Sequence, residues 1–135
     1  MFKFLFVVLL AFSSLHAEFV VVANKEFPSD KIESKELKKL FLRKQKFVSS
    51  LKIVPFNLPK SSELRSYFEN KILKMSESSL KAYWMQRHYD GVRPPKQVSS
   101  VSAMKNYVLK VAGAIGYLPR NEVSSEMKIL TVLDR

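Results

Sequence analysis

The amino-acid sequence predicts an α/β layer fold, with about four helices packed on a small mixed sheet. Two observations carry this. Short runs rich in apolar and β-branched residues stand early and late in the chain (EFVVVAN at 18–24, KILTVL at 128–133), and stretches between them space their apolar residues at i, i+3 and i+4. Read in order, the elements run β-α-β-α-α-α-β-β, which belongs to helices layered on a sheet rather than to a bundle or a sandwich.

Residues 18–24 have the length and density of a buried strand, and Phe27-Pro28-Ser29-Asp30 ends it. Ser34 is placed to cap a first helix in which Leu37, Leu40 and Phe41 share one face, while Lys35, Lys38 and Lys39 occupy the other. Residues 52–56 (KIVPF) read as a second strand, with Pro55 marking an edge or a terminus because proline has no amide to give a ladder. A turn-rich connection at 57–62 leads into a second helix with a stripe of Leu64, Tyr67, Phe68 and Ile72. Ser76 caps a third, in which Leu80, Tyr83 and Trp84 point inward, and Asp90-Gly91 opens a loop through Arg93, Pro94 and Pro95. A fourth helix from about Ser100 aligns Val101, Met104, Val108 and Val111, and the strands 113–117 (GAIGY) and 128–133 follow.

The length of 135 residues admits one domain. The 47% hydrophobic content, with ten Phe and five Tyr, is too rich for a disordered chain. Cysteine is absent, which excludes disulfides, thiolate chemistry and Cys-ligated metal. At the amino terminus Lys3 is followed by nine apolar residues, Phe4 to Phe12, then a polar stretch ending in Ala17. That order predicts a cleavable signal peptide over 1–17, cut after Ala17, since nine apolar residues fall short of the roughly 20 that span a membrane. Residues 18–135 then form the exported domain, in the periplasm or outside the cell. Removing Lys3 lowers the formal charge from +11 to +10, so an anionic partner is expected.

Catalytic sets are scarce. His88 is the one histidine after the signal segment, and neither a G-x-S-x-G elbow nor a G-x-x-x-x-G-K-S/T loop occurs. No spacing suggests a metal site, so the expectations are no enzyme, no catalytic residues, no metal and no cofactor. Lys60-Ser61-Ser62 lies where a strand hands over to a helix. That is either ordinary N-capping or an anion site built from unpaired amides, a partial positive charge and two hydroxyls. The stretch from Lys35 to Lys46 holds six cations and a single acid, Glu36. It reads as a solvated helix face that would favour anionic lipid or an acidic envelope protein; export and the lack of interleaved aromatic platforms argue against nucleic acid.

Four segments, in this order, carry a family resemblance: 37–44 (LKKLFLRK), 53–65 (IVPFNLPKSSELR), Tyr83-Trp84 followed by 91–95 (GVRPP), and 113–117 (GAIGY). Together they are similar to the phosphate-binding periplasmic proteins of phosphate ABC transporters, PstS-like members of the type 2 periplasmic binding proteins, and more closely to their short single-lobe relatives. The resemblance implies one lobe of a fold that usually closes two lobes over its ligand. It also implies a phosphate or other oxyanion as ligand and an ABC permease as partner. In that family a Ser-Gly-Thr loop opens a helix and holds phosphate. Carried over, the binding residues are Ser61 and Ser62 with Lys60, Arg65 and Asn57. Asn57 stands where the full-length binders have Arg, and the loop reads Ser61-Ser62-Glu63, so only its first serine matches. A carboxylate at Glu63 repels a dianion unless it points away, or else serves the helix dipole. With one lobe the ligand would sit at an open surface, and a homodimer would supply the missing wall. The alternative is an envelope protein-interaction module that kept the fold and lost the ligand.

Overall fold

A strand of Phe, three Val and Ala is stable only when both its faces and both its edges are covered. The computed structural model, which describes residues 18–133, meets all four requirements. The predicted signal peptide and its cleavage point lie outside the described residues. Strand β1 (Phe19–Asn24) is buried at every residue and lies between β6 (Ala114–Pro119) and β7 (Met127–Leu133), antiparallel to both. The main sheet has five strands in the order β5-β4-β6-β1-β7, with β4 (Val54–Asn57) parallel to β6 on one side and to β5 (Lys96–Gln97) on the other. The mixed sheet follows the expected fold class. The outer strand β7 leaves Ile129 and Val132 exposed.

Period-two alternation divides the core into two layers. Tyr117 of β6 and Phe19 of β1 point to one face. There they meet Phe41 of α1 (Ser34–Phe41) and Phe68 and Tyr67 of α2 (Glu63–Phe68). Gly116 of β6 and Phe56 of β4 point to the other face, toward Met104 and Tyr107 of α4 (Val101–Lys110). Asn24 closes that layer, its Nδ2 donating to the Val108 carbonyl at 2.9 Å. Helix α3 (Glu77–Tyr89) buries Leu80 and ties itself to the end of α1 through Tyr83, whose hydroxyl donates to the Leu42 carbonyl at 2.6 Å. No helix among the described residues is long and apolar enough to cross a membrane.

Several details depart from the expected boundaries. Ser76 and Ser100 cap α3 and α4 by accepting from the amides of Ser79 and Ala103. Ser34 does not cap α1, because the Leu37 amide already bonds the Glu33 carbonyl and Ser34 is the first helical residue. The strand expected at 52–56 is split. Leu51–Lys52 (β3) pairs with Phe47–Val48 (β2) in a separate hairpin turned by Ser49 at φ 52°, and only Val54–Asn57 joins the main sheet. Pro55 lies inside the sheet, between β5 and β6. The Val54 amide bonds the Gly113 carbonyl on the β6 side, so the donor that Pro55 lacks would face β5, which covers only Phe56 and Asn57. Helix α2 runs on into a π-helical turn (Glu69–Leu73), which buries Ile72 and Leu73 side by side and stops at Lys74 in the left-handed region, φ 51°.

The glycines of the 113–117 segment are packing requirements. A Cβ at Gly113 would overlap the backbone oxygen of Lys52, and one at Gly116 would overlap the Met104 sulfur. The first obstacle is fixed backbone and the second a flexible thioether. Gly113→Ala is therefore expected to cost about 1–3 kcal/mol and to lower the melting temperature more than Gly116→Ala. Equal losses in thermal denaturation would contradict this account.

Candidate functional site

The carboxyl end of β4 is held by one side chain reaching across from β6. The Tyr117 hydroxyl accepts from the Leu58 amide at 3.2 Å and donates to Asn57 Oδ1 at 3.1 Å. Its ring stacks on Phe68 with centroids 4.1 Å apart and planes 4° from parallel. Burial pushes the phenol well above the usual tyrosine range, so it stays neutral and serves as donor and acceptor together. The chain then turns at 59–62, the Ser62 amide bonding the Pro59 carbonyl at 2.9 Å, and enters α2.

The five residues expected to bind an anion fall into four environments. Lys60 and Ser61 are exposed on the turn. Ser62 is half-buried and caps α2, its Oγ accepting from the Arg65 amide at 3.3 Å. Asn57 is 8% exposed and directs its carbonyl oxygen to Tyr117, so its place is in the core beneath the turn. Arg65 reaches back over the turn. Its Nη1 donates to the Leu58 carbonyl at 3.0 Å and to Gln97 Oε1 at 3.1 Å, and its Nε stands 3.6 Å from Glu69 Oε1. The guanidinium therefore lies beside the end of β4.

Beyond Arg65 a groove of about 740 Å³ opens between α2 and α3. Lys60, Arg65 and Lys81 give it positive charge, Glu69 and Glu77 offset part of that, and Trp84 and Tyr89 form apolar wall. His88 lies along it, exposed at the end of α3. The basic stretch of α1 behaves largely as a solvated surface, Lys35 and Lys39 being exposed, while Lys44 stands 5.8 Å over the Tyr83 ring. Among the described residues no three His, Cys, Asp or Glu side chains gather as metal ligands.

Sequence reasoning missed three participants. Tyr117 was read only as a strand residue, and Gln97 sits on a two-residue strand with no periodicity to reveal it. Glu69 was signalled by its i+4 spacing from Arg65. Removing the Tyr117 hydroxyl strands the Leu58 amide and the Asn57 carbonyl in the core. Tyr117→Phe is thus expected to lose about 1–3 kcal/mol in chemical denaturation, and an unchanged midpoint would refute the role given to that hydroxyl. Burial raises the Glu69 carboxyl above 4.5, outweighing the pull of Arg65. A carboxyl raised in the folded state contributes stability that is complete below its unfolded value and lost as pH rises through the folded one. Relative to the parent chain, Glu69→Gln should therefore gain stability as pH rises above 4.5 and through the raised titration of the carboxyl. A difference between the two proteins that stays flat with pH would count against this reading of Glu69.

No protein-family model matches the chain, and no curated protein matches it by sequence. Solved structures do match. An ABC-type phosphate transport receptor from Vibrio cholerae superposes with a TM-score of 0.67 at 17% identity, over 85% of this chain and 46% of that one. A putative phosphate ABC transporter substrate-binding protein from Clostridium perfringens, solved with bound phosphate, gives 0.69 at 16% identity, over 85% and 45%. PstS from Borrelia burgdorferi gives 0.66 at 18%, over 85% and 47%. The chain spans less than half the length of each of these proteins. The likeness is one of fold, and it agrees with the resemblance carried by the four segments: the described chain has the architecture of a single lobe of a periplasmic binding protein, as built in the substrate-binding proteins of phosphate ABC transporters.

Proposed function

We propose that this chain is an exported, non-enzymatic domain that binds phosphate or a similar oxyanion and works with an ABC permease. The observation that carries this reading is the turn at 59–62. It presents Lys60, Ser61 and the start of α2 at the carboxyl end of β4, with the Arg65 guanidinium folded back to within 3.0 Å of the Leu58 carbonyl. Ligands of open α/β sheets sit beyond the carboxyl ends of strands, and a helix start supplies amide donors and partial positive charge. Arg65 supplies from one turn into α2 the positive charge that Asn57 does not. The Ser61 amide and the hydroxyls of Ser61 and Ser62 are the contacts, the Ser62 amide being taken by the Pro59 carbonyl, and Lys60 adds charge from the exposed side. Binding is weak while the site faces water, because screening reduces each charged contact. A second copy of the chain is one wall that would exclude that water.

Calorimetric titration of the chain with phosphate and with sulfate tests this. Heat is expected at millimolar anion, reduced by Ser61→Ala and abolished by Arg65→Gln. Silence with both anions, and no difference for Ser61→Ala, would remove the ligand from the account.

A second reading, an envelope interaction module of the same fold, is favoured by the internal commitments of Asn57 and Arg65 and by the apolar side of α3. There Met85 is 59% exposed and Tyr89 83%. It predicts a defined envelope protein retained by the parent chain and lost with Met85→Glu and Tyr89→Glu, together with silent calorimetry.

A further inference from the structure

We infer that Arg43, Lys46, Arg93 and Lys96 form a second anion site, separate from the start of α2, for a ligand that carries two or more phosphate groups. These four residues line a cleft of about 340 Å³ whose remaining walls are valine, proline and glycine, with no carboxylate among them. Two come from the segment after α1, one from the strap between α3 and β5 and one from β5 itself, so the fold brings them together from distant parts of the chain. Arg65 is partnered by Glu69, whereas none of these four enters an ion pair among the described residues. Lys96 is held with its Nζ 5.3 Å over the Tyr107 ring. Four like charges around one apolar-walled cleft repel one another, and field lines focused by such walls attract a counter-anion. Pro55, on the floor, presents no amide to the cleft side.

The backbone segments that carry these residues are themselves pinned, one of them at a conformational cost. Arg43 has φ 60°, the left-handed region where a helix end normally places glycine. Its segment is pinned by the Lys44 amide on the Lys39 carbonyl and by the Ile53 amide on the Lys46 carbonyl, both at 2.9 Å. On the other side Gly91 turns at φ 75°, the Val92 amide bonds the Arg87 carbonyl at 3.0 Å, and Pro94-Pro95 stiffens the strap before Lys96 enters β5. Strained backbone that delivers a charged group into a cleft points to use of that group. Four cations around one cleft match a diphosphate better than a single phosphate, because each phosphate group can take charge-assisted hydrogen bonds from more than one of them. The shared chemistry fits free pyrophosphate or polyphosphate, and equally the phosphates of an anionic lipid surface.

The test titrates the chain with pyrophosphate and with inorganic phosphate, and separately sediments it with vesicles of phosphatidylglycerol and phosphatidylcholine. Arg43→Gly is the informative variant, because glycine suits the left-handed backbone and the protein should melt no lower than the parent. The expected result is that pyrophosphate binds more tightly than phosphate and that Arg43→Gly or Arg93→Gln weakens it by roughly tenfold or more, while Ser61→Ala leaves it unchanged. Vesicle binding lost in the same two variants supports the site with lipid as the source. Binding of neither probe, or binding that both variants retain, overturns the proposal. Loss in Ser61→Ala alone does so too, by assigning the anion to the start of α2.

Discussion

Everything near the start of α2 depends on the Tyr117 hydroxyl. A strand that ends inside a protein leaves polar backbone groups without ladder partners, and at the end of β4 one phenol serves both the Leu58 amide and the Asn57 side chain. Because the same ring stacks on Phe68, it also fixes how α2 lies on the sheet. The direction in which the turn at 59–62 leaves the core, and the place to which Arg65 can return, follow from that contact. A larger displacement of Tyr117 would be felt in the core and at the candidate site together.

That dependence gives the 113–117 segment a physical meaning. Gly113 lets β6 approach the Lys52 carbonyl, Gly116 makes room for Met104 of α4, and Tyr117 crosses to β4. All three are scaffold positions. The likeness to phosphate-binding proteins that this segment carried is thus a likeness of architecture, which agrees with solved structures matching in fold at 16–18% identity. Function must be argued from the residues displayed on the scaffold.

Elements long enough to show a period were legible in the sequence: β1, the helices that bury Leu37 and Leu40 or Met104 and Val108, the cap at Ser76 and the helix start near Ser100. The β2–β3 hairpin and β5 were not, because strands of two residues have no alternation and exist only through their partners. The π-helical turn was hidden for a related reason: its gain is the burial of adjacent Ile72 and Leu73, a tertiary reward that no local propensity records. Of the site, the turn and the Ser62 cap were readable. The inward commitment of Asn57 was not, since asparagine serves a turn and a core hydrogen bond equally well. Arg65 was legible as a cation with Glu69 at i+4, but its backward reach depends also on Gln97, which only the folded chain brings beside it.

The sheet's two rims are unequal. β5 contributes two residues, whereas β7 runs for seven and leaves Ile129 and Val132 exposed. Its outward-facing row of amides and carbonyls is a template on which further backbone can pair. Lys128, anchored to the Phe27 carbonyl at 2.8 Å and to Asp30 at 3.3 Å, guards one end of that row. Any strand that lengthens this sheet, from another molecule or from an aggregate, has β7 as its long landing edge, on the opposite rim from β5 and its cationic cleft.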